Sequence, residues 1–275
     1  MPAYKEKKQT SEASTKITNR IVAVCGKGGT GKTAFTALMA KVLLDSGKDG
    51  NLLLIDADPA MGLPLVLGVK VKRTLGQIRE EIIKTARGGK EEEKRKIADK
   101  LDYMLFEALH EMDNYALLAM GRTETLGCFC PINSVLKQAI QTLSKSFDTI
   151  LIDGEAGLEQ LNRQVAGHVD TLVIVSDATS RGVQTAAQVR DMVRKEKVIQ
   201  CDRLGIVFNR VQGNKELLKK MADEAGLDVL GYIPQDENIA QQDLIGKPLM
   251  ELKSSKGLEA VREIIEKHIF AERFT

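Results

Sequence analysis

Eight residues from Gly26 to Thr33, GKGGTGKT, combine four glycines with two lysines and two threonines. The spacing fits G-x-x-x-x-G-K-[ST]; it follows an apolar run, IVAVC (21–25), and opens a segment of helical periodicity at 32. The chemistry suited to this stretch is phosphate binding. Glycines let successive backbone N–H groups converge on anionic oxygens, and the helix N-terminus adds partial positive charge. Lys32 can then reach the β- and γ-phosphates of a nucleotide, while Thr33 offers a hydroxyl to Mg²⁺. A glycine-rich turn without a ligand is the bland alternative, and the eight-residue match in a strand–loop–helix setting argues against it.

Other chemically capable residues stand at the ends of apolar runs. Asp56 closes LLLID (52–56) with Asp58 just beyond it, and Asp153 closes TILID (149–153). A strand-end aspartate can simply cap the next element, a reading as good as a functional one for Asp56. For Asp58 and Asp153 the order and spacing relative to the loop favour function. Cys128 and Cys130, in LGCFCPINSV, form a different kind of candidate. They precede Pro131, which suits the first turn of a helix, and a helix N-terminus favours the thiolate that binds soft metals. Two cysteines make half of a tetrahedral site. Cys25 and Cys201 read as small core residues, and His110, His168 and His268 have no metal-ligand spacing. Arg122 and Arg181 are assigned no role.

These residues need a scaffold that gathers strand ends. Apolar runs recur at 21–25, 52–56, 115–120, 149–153, 171–176, 204–208 and 228–233, nearly continuous rather than alternating. Such runs belong to strands covered on both faces. Helical spacing occupies 32–47, 73–113 (broken near Gly88–Gly89), 132–146, 157–166, 181–197, 213–225 and 256–270. The alternation predicts a doubly wound, mainly parallel α/β sheet of seven to eight strands flanked by helices, and the strand–GKGGTGKT–helix order at its start makes the expectation a P-loop NTPase. In such a sheet ligands bind beyond the carboxyl ends of the strands, where all these motifs fall. Residues 1–19, polar and mixed in charge, are expected to be a disordered extension; 20–275 are expected to form a single domain with a helical insertion near 70–113.

Composition narrows the classes. Of the 275 residues 43% are apolar, enough for a sizeable core, and the net charge of +2 gives no electrostatic case for nucleic acid or anionic membrane. Four cysteines fit a reducing compartment, and no apolar run approaches the roughly 20 residues of a bilayer span. The expectation is a cytoplasmic protein with neither membrane nor nucleic acid as partner.

Lys27, a second lysine inside the loop, makes the sequence resemble the deviant-Walker ATPases, the group of MinD, ParA, the nitrogenase iron protein and the CooC-type nickel-insertion ATPases. The resemblance covers about 20–270. It implies that Gly26, Lys27, Gly28, Gly29, Thr30, Gly31, Lys32 and Thr33 hold ATP or ADP, with Lys27 crossing a dimer interface to the partner's nucleotide. LLLIDADPAMGLP resembles the first switch, which makes Asp58 the residue that positions the attacking water; ILIDGEAGLEQ resembles the second, with Asp153 holding Mg²⁺ through water beside Thr33 and Asp58. In VFNRV, Asn209 takes the place that reads the adenine edge, next to Arg210, and GYIPQDENI, with Pro234, resembles the loop that closes over the base.

Within that group, MGRTETLGCFCPINSVLKQAI, TLGQIREEI and VDTLVIVSDATSRGVQTA are similar to CooC-type proteins over long stretches. The resemblance implies an ATP-dependent homodimer whose paired Cys128 and Cys130 present four thiolates to Ni²⁺ or Zn²⁺, serving carbon monoxide dehydrogenase or the related acetyl-CoA synthase as client. Two other readings stay open. A MinD- or ParA-type spatial organiser calls for a basic amphipathic helix or a basic patch, and LEAVREIIEKHIFAERF mixes both charges. A reductase like the iron protein would bridge an iron–sulfur cluster between subunits; the second switch here contains no cysteine, although the 128/130 pair could hold one.

Overall fold

The computed structural model describes residues 20–47, 50–88, 100, 103–122, 137, 140–154 and 167–274. Its centre is one eight-stranded sheet, in the order β3-β4-β2-β5-β1-β6-β7-β8. The strands are β1 (Arg20–Cys25), β2 (Leu52–Asp56), β3 (Leu109–Glu111), β4 (Tyr115–Ala119), β5 (Thr149–Asp153), β6 (His168–Asp177), β7 (Gln200–Val211) and β8 (Val229–Pro234). Every neighbouring pair is parallel except β3 with β4.

The continuous apolar runs follow from burial on both faces. Successive strand side chains leave by opposite faces, so each parity supplies its own core. Ala23, Leu53, Ile174 and Phe208 belong to one core; Val22, Leu54, Val173 and Val207 belong to the other. Helix α1 (Lys32–Ser46) packs on the second through Phe35, Met39 and Leu43, together with α7 (Lys256–Ile264) through Val261 and Ile264. The first core is closed by α3 (Leu75–Gly88) through Leu75 and Ile78, α4 (Ser180–Arg194) through Val183 and Ala186, and α5 (Lys215–Glu224) through Leu218 and Ala222.

Four elements differ from the sequence reading. The stretch expected to be helical to 113 turns into strand β3, whose Leu109–Glu111 pair antiparallel with Ala116–Leu118. A tight turn, with the Met112 N–H donating to the Tyr115 carbonyl at 2.8 Å, overrides the helical spacing. A short helix α2 (Gly62–Leu67) begins within the end of the first-switch sequence, and α6 (Glu237–Leu244) begins within GYIPQDENI, which read as a loop. Helix α7 also stops earlier than 270, relaxing into a π-helical turn over Ile265–Ile269.

The strand order sets the site. β1 lies between β5 and β6, so the chain leaves it to one side for β2, β4 and β5, then crosses to the other for β6, β7 and β8. A crevice opens at the carboxyl ends where the order reverses, and the Gly26–Thr33 loop leaves β1 at that point.

Candidate active site

The loop is built around backbone conformations that side chains disfavour. Gly26 has φ +135°, and a Cβ on it would lie 2.2 Å from the carbonyl oxygen of Val175 on β6. Only glycine lets the loop leave β1 this close to its neighbour. Gly31 (φ +90°) opens α1 without a side-chain cap, leaving the first helical N–H groups facing the crevice. The Thr30 hydroxyl donates to the Lys27 carbonyl at 2.9 Å, and the Lys32 ammonium curls back to the same oxygen at 3.3 Å. Lys32 is buried, whereas Lys27, Gly28 and Gly29 are exposed.

Two carboxylates stand opposite each other where β2 and β5 end, since Asp56 and Asp153 are register partners. Their environments differ. The Thr36 hydroxyl donates to Asp153 Oδ1 at 3.4 Å, while Oδ2 is buried with no hydrogen-bond partner among the described residues. Burial pushes Asp153 up to about 6, against the stabilising pull of the Thr33 hydroxyl and the Lys32 charge. A buried, orphaned carboxylate oxygen beside a threonine hydroxyl at the foot of a phosphate loop is a donor set that fits a hydrated Mg²⁺.

Asp56 has both oxygens occupied: Oδ1 accepts the Asp58 N–H at 2.9 Å and Oδ2 the Leu63 N–H at 3.0 Å. Burial pushes it up to about 7. Asp58 is only half-buried; its Oδ1 accepts the Ala60 N–H at 2.8 Å, and its charge lies close enough to raise Asp153.

Beside the loop lies a cavity of about 560 Å³ bounded by Gly31, Phe35, Asn209, Arg210, Pro234 and Ile239. Asn209 is held by both ends of its amide. Its Nδ2 donates to the Thr30 carbonyl at 2.8 Å and its Oδ1 accepts the Arg210 N–H at 2.9 Å, which leaves one N–H and one lone pair for a ligand. The far wall is α6, capped by Asp236, whose Oδ1 accepts the N–H groups of Asn238 and Ile239. Its Oδ2 accepts the Gly257 N–H at 2.7 Å and ties α6 to α7. No residue of α6 is buried.

The fold therefore gathers Gly26–Thr33, Asp58, Asp153, Asn209, Arg210 and Pro234 at one sheet edge. β4 delivers the chain to the same edge at Met120–Arg122, before Cys128 and Cys130, which lie outside the described residues, as do 155–166 of the second switch. Among the described residues no group of three or more His, Cys, Asp or Glu could hold a metal ion. Burial pushes the Cys25 thiol up to about 12, the behaviour of a core residue, and Cys201 lies within β7 rather than before it. Sequence reading passed over Thr36, which no motif marks, and α6, which the Asp236-Glu237-Asn238 cap signal could have revealed.

The chain matches the model of the CobQ/CobB/MinD/ParA nucleotide binding domain over residues 21–249. It is 41% identical over 254 residues to an uncharacterized ATP-binding protein of Methanocaldococcus jannaschii, covering 90% of this chain and 98% of that one. It is 30% identical over 247 residues to the carbon monoxide dehydrogenase accessory protein CooC of Rhodospirillum rubrum, covering 84% and 89%. The fold is similar to that of the septum site-determining protein MinD complexed with Mg-ADP from Pyrococcus horikoshii, with a TM-score of 0.65 at 24% identity, covering 93% and 98%.

Proposed function

This chain belongs to the CobQ/CobB/MinD/ParA nucleotide-binding family of P-loop ATPases, and from that premise we propose that it is a Mg-dependent ATPase acting in nickel insertion into carbon monoxide dehydrogenase or the related acetyl-CoA synthase. The observation that carries the client reading is the 30% identity to CooC over 84% of the chain, joined to a Cys128–Phe129–Cys130 run in a stretch similar to that subfamily. The nucleotide half rests on the glycine loop and the orphaned Asp153 oxygen.

In this reading the backbone N–H groups of Gly26–Gly31 and the start of α1 bind the phosphates, and Lys32 leaves the Lys27 carbonyl to meet the β- and γ-oxygens. Thr33, Asp153 and Asp58 would hold Mg²⁺, which supplies charge neutralisation at the phosphates when bound. Asp58 orients a water for in-line attack on the γ-phosphorus: the water oxygen forms a bond as the bond to the bridging oxygen breaks, giving ADP and phosphate. Asn209, Arg210 and Pro234 line the base. Lys27, exposed at the sheet edge, extends to the nucleotide of a second copy, making the ATP-bound form a homodimer. The nickel or zinc ion is cargo, held by Cys128 and Cys130 of both copies.

The test is metal content and mass in solution of anaerobically purified protein, with and without Mg-ATP. About one Ni²⁺ or Zn²⁺ per two chains, lost in Cys128→Ser/Cys130→Ser, supports the reading. Iron with sulfide instead moves the protein to the reductases. A dimer with ATP turnover but no metal makes it a MinD- or ParA-like organiser.

A further inference from the structure

Asp56 is assigned no contact with the nucleotide or Mg²⁺, yet both of its carboxylate oxygens are engaged within the site. It is 0% exposed, and its two oxygens accept the N–H groups of Asp58 and Leu63 at 2.9 and 3.0 Å. Its main-chain carbonyl accepts the Met120 N–H at 2.8 Å, and the next N–H, from Ala57, goes to the Asp153 carbonyl at 2.9 Å. The turn between Asp56 and Leu63 is therefore pinned at both ends by one side chain and at its base by two neighbouring strands.

An ordinary helix cap sits next to its helix. Here the capping position of α2 is Met61, which makes no side-chain cap and has φ +54°. A non-glycine residue keeps that conformation only where its surroundings impose it. Asp56 reaches across the turn to cap α2 from a distance, and its other oxygen goes to the backbone of Asp58 rather than to the helix. The turn also lies against the phosphate loop: a Cβ on Gly62 would meet Thr33 Cγ2 at 3.5 Å.

We propose that Asp56 is a positioning residue for ATP hydrolysis, its two carboxylate oxygens clamping the Ala57–Gly62 turn so that Asp58 is held against the phosphate loop. The proposal rests on the ATPase reading above, in which Asp58 orients the water. Replacement by asparagine keeps one acceptor and turns an N–H₂ toward a backbone N–H, a donor–donor conflict that releases one end of the turn. Positional errors of about an ångström in a water-orienting group cost up to about a hundredfold in rate.

The experiment measures kcat, Mg-ATP affinity and Tm for wild type, Asp56→Asn, Asp58→Asn and the double variant. The expected result is a kcat about ten- to a hundredfold lower in Asp56→Asn with the Mg-ATP Kd within about twofold, and a double variant no slower than Asp58→Asn alone. If Asp56→Asn does not fold, Asp56→Ser, which has no conflicting amide, is expected to give the same split. Unchanged kcat at position 56, a matching loss of nucleotide affinity, or effects that multiply in the double variant overturn the proposal. Normal turnover in Asp56→Asn removes this role alone; a metal-loaded wild type that binds Mg-ATP without hydrolysing it removes the ATPase reading and this role together.

Discussion

The two ends of the nucleotide crevice are built to different standards of rigidity. At the phosphate end, Gly26 lies against Val175 of the next strand, and Asp56 and Asp153 stand fully buried on adjacent strands at the sheet's centre. At the base end the wall is α6, a helix with no buried residue, with Leu244 left 85% exposed. It is held by Asp236, which caps it and reaches Gly257, and by Ile239, which packs against the second core. Phosphate chemistry depends on distances fixed to a fraction of an ångström, which a central parallel sheet supplies. Base binding needs shape and a few polar contacts, and tolerates a wall that adjusts.

Substitutions at the phosphate end should therefore have the larger consequences. Lys32→Ala is expected to reduce ATP turnover by more than about a hundredfold, because in the proposed reading its ammonium offsets charge developing on the transferred phosphoryl group; steady-state phosphate release reads this. Turnover near wild type would erase the contrast between the two ends. Gly26→Ala adds a Cβ where 2.2 Å separates it from a main-chain oxygen and imposes φ +135° on a side chain that resists it. A stability loss of about 3 kcal/mol is expected in denaturant unfolding, with little change if the loop can shift.

The third prediction concerns pH. Burial raises Asp56 to about 7 and Asp153 to about 6, above the ordinary 3.8, so the folded protein holds protons that the unfolded chain releases. Without ligands the stability contributed by the protonated acids is present in full below about pH 4 and is lost as pH rises through about 6 to 7. Mg²⁺ prefers ionised Asp153, so the rise in Tm on adding Mg-ADP should be greater at about pH 7.5 than at about pH 5.5. Asp153→Asn should weaken both trends, and thermal scans across this range decide.

At the base end the expected effects are smaller. Asn209→Ala removes the hydrogen bond to the Thr30 carbonyl and, in the proposed reading, one contact to the base, and should weaken ATP binding about tenfold with kcat little changed, by calorimetric titration. Asp236→Ala should cost about 1–2 kcal/mol in global stability, with faster amide exchange confined to α6 and the start of α7. If Asp236→Ala slowed turnover as much as Lys32→Ala, the division between a rigid and an adaptable end would fall.

The sequence alone determined a good deal, for reasons of local physics. Unbroken apolar runs such as LLLID and TILID require strands buried on both faces, and their alternation with helical spacing leaves few choices besides a doubly wound parallel sheet. GKGGTGKT announced phosphate binding because its glycines and lysine act within one loop and one helix start. Tertiary structure decided what depends on partners distant in the chain. The reversal of strand order placed Asp153 beside Asp56, 97 residues away in sequence, leaving one with an orphaned oxygen and the other with none. Edge pairing with β4 turned Leu109–Glu111 into a strand against its helical spacing, and Asp236 organised a helix where a loop was expected. Asp56 is the clearest case: in sequence its cap and its functional readings were evenly matched, because the residues it holds, Asp58 and Leu63, become its partners only when the turn folds back over the end of β2.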